Sequence, residues 1–364
     1  MNFEVNRQNF RETRVTNDEP ADLADGQVRL TIERFAITTN NITYAVAGDM
    51  LDYWGFFPVD QQWGRLPVMG LGTVAESANP DIAIGGRYFG FYPMADQVVI
   101  TARATRDGFS DAGPNRSDHA VVYTGFRDVS TDPTFRADQP DEYLLLWGMF
   151  MTSFLADDYL ADSNFHGASQ TLVTSASSKT SISLASCLAR REGHAAIGLT
   201  SERNRAFVES LRAGDDSLYD QVITYDEIDQ LDANVPTGMV DMAGNGSVRT
   251  NVHNHFAENL KYSLSVGITH WEAGAGSADL PGPQPEMFFA PGQSAKRAKD
   301  WGPDELAKRI AEAFLSLLDG TSEWLTVDHR TGPSGMQQVY DLLVEGQADP
   351  AIGFIVSMTE TSAS

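Results

Sequence analysis

The chain has 364 residues, 42% hydrophobic and 21% charged, the composition of an ordinary globular protein with room for two cores. Its 50 acidic residues against 26 basic ones leave a formal net charge of −24, a surface that repels nucleic acid and anionic lipid. No apolar run reaches the roughly 20 residues that span a bilayer, and the lone Cys187 excludes a disulfide within the chain.

Met1-Asn2-Phe3-Glu4-Val5-Asn6-Arg7 lacks the basic-then-apolar order of a signal peptide, so a reducing, cytoplasmic setting is expected. The first 140 residues read as mostly β. Residues 26–35 alternate apolar and polar positions, the period of a half-buried strand, and residues 67–76 and 85–91 repeat the theme with glycines where strands turn or bulge. Residues 107–117 are polar and read as a loop. A helix is expected from near Tyr143 through Leu144, Leu145, Trp147, Phe150, Met151, Phe154 and Leu155, with Asp157 and Asp158 solvated at its end.

From Gly167 the rhythm changes. Residues 171–174, 195–199, 221–224, 238–242 and 263–269 are strand candidates with helical patterns between them, the alternation of a parallel sheet covered on both faces. Residues 274–285 are rich in Gly and Pro and read as a loop or cover. Residues 303–318, with Asp304 and Glu305 in the first turn, form an amphipathic helix. A strand at 324–327, a helix at 337–344 and a strand at 353–357 end the chain.

Residues 171–205 carry the chemistry. An apolar run enters Ser175-Ala176-Ser177-Ser178-Lys179-Thr180-Ser181, a helical pattern follows, and a second run ends in Thr200-Ser201-Glu202-Arg203-Asn204-Arg205. Strand, turn, helix and strand in that order bind a dinucleotide's pyrophosphate at a helix N-terminus. Glycines usually serve in that turn because backbone N–H groups must approach the phosphates closely. Here the hydroxyls of Ser175, Ser177, Ser178 and Thr180 can donate to phosphate oxygens, and Lys179 can neutralise them. The alternative reading is a degenerate turn that no longer binds a cofactor. Lys179-Thr180 also ends like a nucleotide phosphate-binding loop, but Val173 and Ser178 stand where that loop needs glycines.

An acidic residue after the second strand would accept hydrogen bonds from a ribose. Ser201, Arg203, Asn204 and Arg205 are donors instead and suit a 2′-phosphate, which points to NADP(H); the competing reading is that the arginines only open a helix. No metal is expected. His253 and His255 lack companion ligands, and Cys187 sits on the apolar pattern of a helix. Without a Lewis acid, a quinone or enone is the easier hydride acceptor, because conjugation spreads the charge. Tyr44, with Asn40 or Asn41, can hydrogen-bond the developing oxyanion, or Tyr44 is simply a packed core tyrosine.

Several segments, taken in order, resemble the medium-chain dehydrogenase/reductase superfamily in its zinc-free, quinone-oxidoreductase-like branch. They are the strand at 28–35, Thr39-Asn40-Asn41-Ile42-Thr43-Tyr44 with Gly48, Pro67-Val68-Met69-Gly70-Leu71-Gly72-Thr73-Val74, Gly85-Gly86-Arg87-Tyr88, and Tyr340-Asp341-Leu342-Leu343-Val344-Glu345-Gly346. A closer resemblance is to the DUF2855 family, through residues 175–180, Thr200-Ser201 with Asn204, Phe288-Phe289-Ala290-Pro291 and Asp300-Trp301-Gly302. The chain departs from the superfamily in its serine-rich turn, in Gly86 where an acidic residue is usual, and in Gly353 where a lysine is expected.

The resemblance implies an α/β fold: a GroES-like β domain, residues 1–140 completed by 322–364, with an inserted Rossmann domain, a doubly wound parallel sheet, at 141–321. It implies a cleft between them near Tyr44, Thr152, residues 177–180, Gly244 and Asn245, with Asn40 and Gly267 also on the cofactor. The implied reaction is hydride transfer from NADPH to a small-molecule quinone or α,β-unsaturated carbonyl, with the proton from solvent or Tyr44. It further implies a possible homodimer through Rossmann edge strands, with 263–269 as the joining strand. Two other readings stay open: a non-catalytic nucleotide-binding sensor, and a reductase of CoA- or acyl-carrier-linked substrates docking on Lys296, Arg297 and Lys299 with Lys308 and Arg309.

Overall fold

The computed structural model describes residues 1–19, 21–116, 119, 121–242, 244–266 and 280–359. The chain divides into two compact units, Met1–Leu145 with Thr326–Ser364, and Leu146–Leu325. None of the helices among the described residues is long and apolar enough to cross a membrane.

The first unit is built on an eight-stranded sheet. Its order is Thr326–Thr331, Ile352–Ser357, Gln27–Ile37, Pro67–Ser77, Arg87–Pro93, Gly125–Asp128, Gly108–Asp111 and Gln97–Thr105. Gln27–Ile37 also pairs with Gln97–Thr105, so six of these strands close on themselves and present no free edge. The alternation read in residues 26–35 is the cause: Val28, Leu30 and Phe35 are fully buried in the barrel core. Residues 107–117, read as a loop, instead contain the strand Gly108–Asp111. Its one apolar side chain, Phe109, is buried and stacks on Phe126 with ring centres 4.8 Å apart. A single aromatic among polar neighbours carries no readable period.

The second unit is a six-stranded sheet in which every pairing is parallel. Its order is Gln221–Thr224, Ala195–Thr200, Gln170–Thr174, Thr237–Asp241, Leu260–Ser265 and Glu286–Met287. Numbered along the chain this is 3-2-1-4-5-6, doubly wound, with the direction of winding reversing between the first and fourth strands. Every residue of Thr237–Asp241 is buried, as a strand covered on both faces requires. The helix Pro303–Asp319 packs Leu306, Ile310, Ala313, Phe314 and Leu317 inward, spaced by three and four.

Two expectations are corrected here. Asp157 and Asp158, read as solvated, are 3% and 6% exposed. They lie inside Pro140–Asp162, a helix that runs on past them, and each is met by a cation: Asp157 by Arg191, and Asp158 by Arg297, whose Nε stands 2.6 Å away. The strand expected at 263–269 runs over Leu260–Ser265 and is not the sheet's edge, because Glu286–Met287 pairs with its end. Gly267, like the rest of 267–279, lies outside the described residues.

Candidate functional site

The first parallel strand ends at Thr174, and Ser175 turns the chain with φ +50°, a left-handed conformation usually left to glycine. The turn is pinned on several sides. Ala176 N donates to Leu199 O at 3.1 Å, the Tyr219 hydroxyl donates to Ala176 O at 3.0 Å, and Ser178 N donates to Ser175 O at 2.7 Å. Gly198 lets the second strand lie this close: a Cβ there would stand 3.0 Å from the Tyr219 ring and 3.2 Å from the Ala176 Cβ. Ser178 then caps the helix Lys179–Leu188, its Oγ accepting from Ser181 N at 3.1 Å. Thr180 is held through its carbonyl, which accepts from the Ser153 hydroxyl at 2.8 Å.

Asn204 joins this turn to the next. Its Nδ2 donates to Ser177 Oγ at 3.0 Å, so the turns after the first and second strands are tied together, with Ser201 opening the short helical turn Glu202–Asn204. On the other side, Thr174 Oγ1 donates to Asp241 Oδ1 at 3.1 Å, linking the ends of the first and fourth strands. Gly244, at φ +68°, donates its N–H to the same carboxylate at 2.9 Å. Asn245 caps the helix Gly246–Phe256, accepting from Ser247 N and Val248 N.

Ser175, Ser177, Ser178, Lys179, Thr180, Ser201, Asn204, Gly244 and Asn245 thus gather at the C-terminal ends of three adjacent strands. This is where the strand order reverses, and two helices point their N-termini toward it. First-turn N–H groups lack intrahelical acceptors and carry the positive end of the helix dipole, so this edge of the sheet favours an anion. The Thr174–Asp241 link is not among the residues read from sequence. Its signal is a polar residue closing each of two otherwise apolar runs.

Arg205 does a different job from the one expected. Its guanidinium grips Glu227 through two contacts at 2.7 and 3.1 Å and also meets Glu209 and Glu202. Hydrogen bonding to Glu227 raises the Arg205 pKa. Three carboxylates converge on it, so it is committed to the protein. Arg203, exposed on the preceding turn, is the other cation of that segment. Thr152 donates its hydroxyl to Gly148 O, one turn back on its own helix.

The Lys296–Lys299 patch is also corrected. Lys296 pairs with Asp162 and Asp300, and the buried Arg297 pairs with Asp158, Asp162 and Asp300, so these two cations are already neutralised. His253 is buried between Pro281 O and Ser263 Oγ, at 2.9 Å from each, and His255 reaches Leu231 O. Cys187 is buried, and that burial pushes its thiol pKa up.

In the first unit, Tyr44 lies on the short helix Thr39–Val46. Asn41, read beside it as catalytic, serves the backbone: its Oδ1 accepts from Thr38 N at 2.8 Å and its Nδ2 donates to Pro67 O at 3.0 Å, which starts the helix and ties it to the sheet. Asn40 is the residue that reaches Tyr44, its Nδ2 donating to the phenolic oxygen at 2.7 Å. Tyr44 stacks on Tyr53, ring centres 4.0 Å apart at 20°. Burial drives the Tyr44 phenol well above its ordinary value, so the group holds its proton through the neutral range.

The fold is shared with solved structures. CurA from Vibrio vulnificus in complex with NADPH superposes with a TM-score of 0.59 at 14% identity, over 96% of this chain and 95% of that one. E. coli K-12 YhdH with bound NADPH gives 0.58 at 14% identity over 99% and 100%. The quinone oxidoreductase from Coxiella burnetii gives 0.55 at 12% identity, over 98% of each chain. At these identities the likeness is one of fold. No curated protein matches the chain. Residues 35–349 match the model of a family described as protein of unknown function, DUF2855, and the chain belongs to that family.

Proposed function

We propose that the protein is an NADP(H)-dependent reductase acting on a conjugated acceptor, a quinone or an α,β-unsaturated carbonyl. The observation that carries this is the cluster at the reversal point of the parallel sheet, where Asn204 ties two turns together beside a capped helix N-terminus. Support also comes from CurA and YhdH, which hold NADPH on the same fold.

The residues present fit a dinucleotide. Ser175 adopts the left-handed conformation that glycine favours, so the turn is made here without one. Ser177 accepts from Asn204 and keeps its own proton for a phosphate oxygen. Lys179, first residue of the helix, brings a positive charge to the same end as the dipole. Ser201 and the exposed Arg203 are the donors we assign to a 2′-phosphate, with Arg205 bracing the segment through Glu227.

NADPH supplies the hydride when bound. Tyr44 is the proton source in this reading: burial disfavours its phenolate, and the Asn40 amide, donating to the phenolic oxygen, offsets part of that cost as negative charge develops there. The test is NADPH oxidation across a panel of quinones and enones. Tyr44→Phe is expected to lower kcat by about 10²-fold or more while leaving the KM for NADPH unchanged. Nucleotide binding with no oxidation of any acceptor would contradict the proposal and leave a non-catalytic binding protein.

A further inference from the structure

The segment after Gly108–Asp111 buries a guanidinium that has few partners among the described residues. Arg116 is 2% exposed; its Nη2 donates to Tyr123 O, while among the described residues Nε and Nη1 find no hydrogen-bond partner. Among the described residues its ion-pair partner is Asp111, which stands 3.8 Å from Nε, beyond hydrogen-bond reach, and commits Oδ1 to Gly113 N at 2.9 Å. The guanidinium carbon lies 4.7 Å from the centre of the Phe56 ring and 4.9 Å from that of Phe57. Cation–π contact stabilises the charge but satisfies none of the in-plane N–H groups. A buried cation with unmet donors lowers stability unless water, an ion or a ligand supplies the acceptor.

The surroundings say what kind of ligand. Phe56 stacks toward Tyr53 at 5.9 Å, and Tyr53 stacks on Tyr44 at 4.0 Å, so Arg116 belongs to the same aromatic cluster as the phenol proposed to give the proton. Aromatic rings of this kind favour contact with a flat, conjugated molecule. The charge present suits a single negative charge. Asp111 already offsets part of the guanidinium, and His119, which packs on Phe56 at 4.0 Å, turns its Nε2 toward Asp52. A doubly charged phosphate would need a further cation here.

We propose that Arg116 anchors the carboxylate of a flat monocarboxylic acid, so that the conjugated acceptor reduced at Tyr44 carries a carboxylate. The second clause rests on the reductase reading. The anchor itself does not, because it is tested by binding alone.

Benzoate and its neutral isostere benzamide are the probes, read by thermal shift and calorimetry on the full chain, wild type, Arg116→Met and Arg116→Lys. Benzoate is expected to raise the wild-type Tm and benzamide to do so far less. Arg116→Met should weaken benzoate at least tenfold while holding or raising the Tm of the ligand-free protein, and Arg116→Lys should keep part of the response. Equal responses to the two probes, or a Met variant that binds benzoate normally, would overturn the anchor. So would a Met variant less stable than wild type in buffer alone, which marks a structural cation satisfied by water. Failure of NADPH oxidation bears only on the reductase reading. A protein that oxidises NADPH yet ignores benzoate would sink the anchor alone.

Discussion

Arg203 and Arg205 are two positions apart, and their surroundings separate them. Arg205 is held by Glu227, Glu209 and Glu202, so Arg205→Ala should weaken NADPH and NADH alike, through loss of the brace. Arg203→Ala should weaken NADPH about tenfold and leave NADH nearly unchanged, since a charge-assisted contact to the 2′-phosphate contributes roughly 1.5–3 kcal/mol. Calorimetric titration of both coenzymes against both variants checks this, and a selective loss in Arg205→Ala instead would reverse the assignment. The residue types in this turn are legible in the sequence, but their partners are not. Glu227 lies 22 positions beyond Arg205, and nothing in the pattern brings it back. The same limit explains Asn40 and Asn41. They are adjacent and chemically identical, and only the helix start decides that one meets Tyr44 and the other serves the backbone.

At the scale of elements, the central parallel strands Gln170–Thr174, Ala195–Thr200 and Thr237–Asp241 were readable because each is a short, largely apolar and buried run bounded by turn residues, whereas the exposed two-residue edge strand Glu286–Met287 carried no such signal. The residues expected at 195–199 and 221–224 fall in Ala195–Thr200 and Gln221–Thr224. Short antiparallel strands such as Thr13–Thr16 and Gly125–Asp128 carry too few residues for a period to show. The helix Ala290–Trp301 was missed for another reason: its buried side chains are Gln293 and Arg297, not apolar ones. They face Asp158 of the helix Pro140–Asp162, with Gln293 Nε2 and Arg297 Nε 2.5 and 2.6 Å from its Oδ2. An ionic seam of this kind is invisible to hydrophobic periodicity. Asp158→Ala strands a buried guanidinium, and because Asp162 and Asp300 still face Arg297 the loss should be about 3 kcal/mol, the low end for a broken buried pair. Urea unfolding measures it; a loss under about 0.5 kcal/mol would show that the seam is dispensable.

Over the whole molecule, a net charge of −24 works against compactness, and salt screens it. Tm should therefore rise by several degrees between low and molar salt. Acid acts through particular carboxylates. Burial raises the Glu33 pKa, but hydrogen bonds from Arg87 and Thr73 and the charge of Arg87 outweigh it and hold the group below 4.5. Its folded value lies below its unfolded one, so its stabilisation is complete above about pH 4.5 and is lost as pH falls through the folded value. Asp157 runs the other way. Burial lifts it above 3.8 despite Arg191, so its contribution weakens as pH rises through that window. Thermal melts from pH 8 down to 3 should stay level until about 4.5 and then fall; a melt that climbs steadily into acid would mean that bulk repulsion, not paired carboxylates, governs stability.

The two-unit α/β plan was legible because it depends on the order of many segments, each weak alone. The serine-rich turn was legible as a turn, and its grip on a diphosphate is the claim on which the proposed function stands. Titration of NADPH into the wild type and Lys179→Ala tests that claim most directly. Saturable one-to-one binding by the wild type is expected, with an affinity at least tenfold lower without the lysine. Wild-type protein that takes up no NADPH, or a Lys179→Ala variant that binds it equally well, would contradict the account.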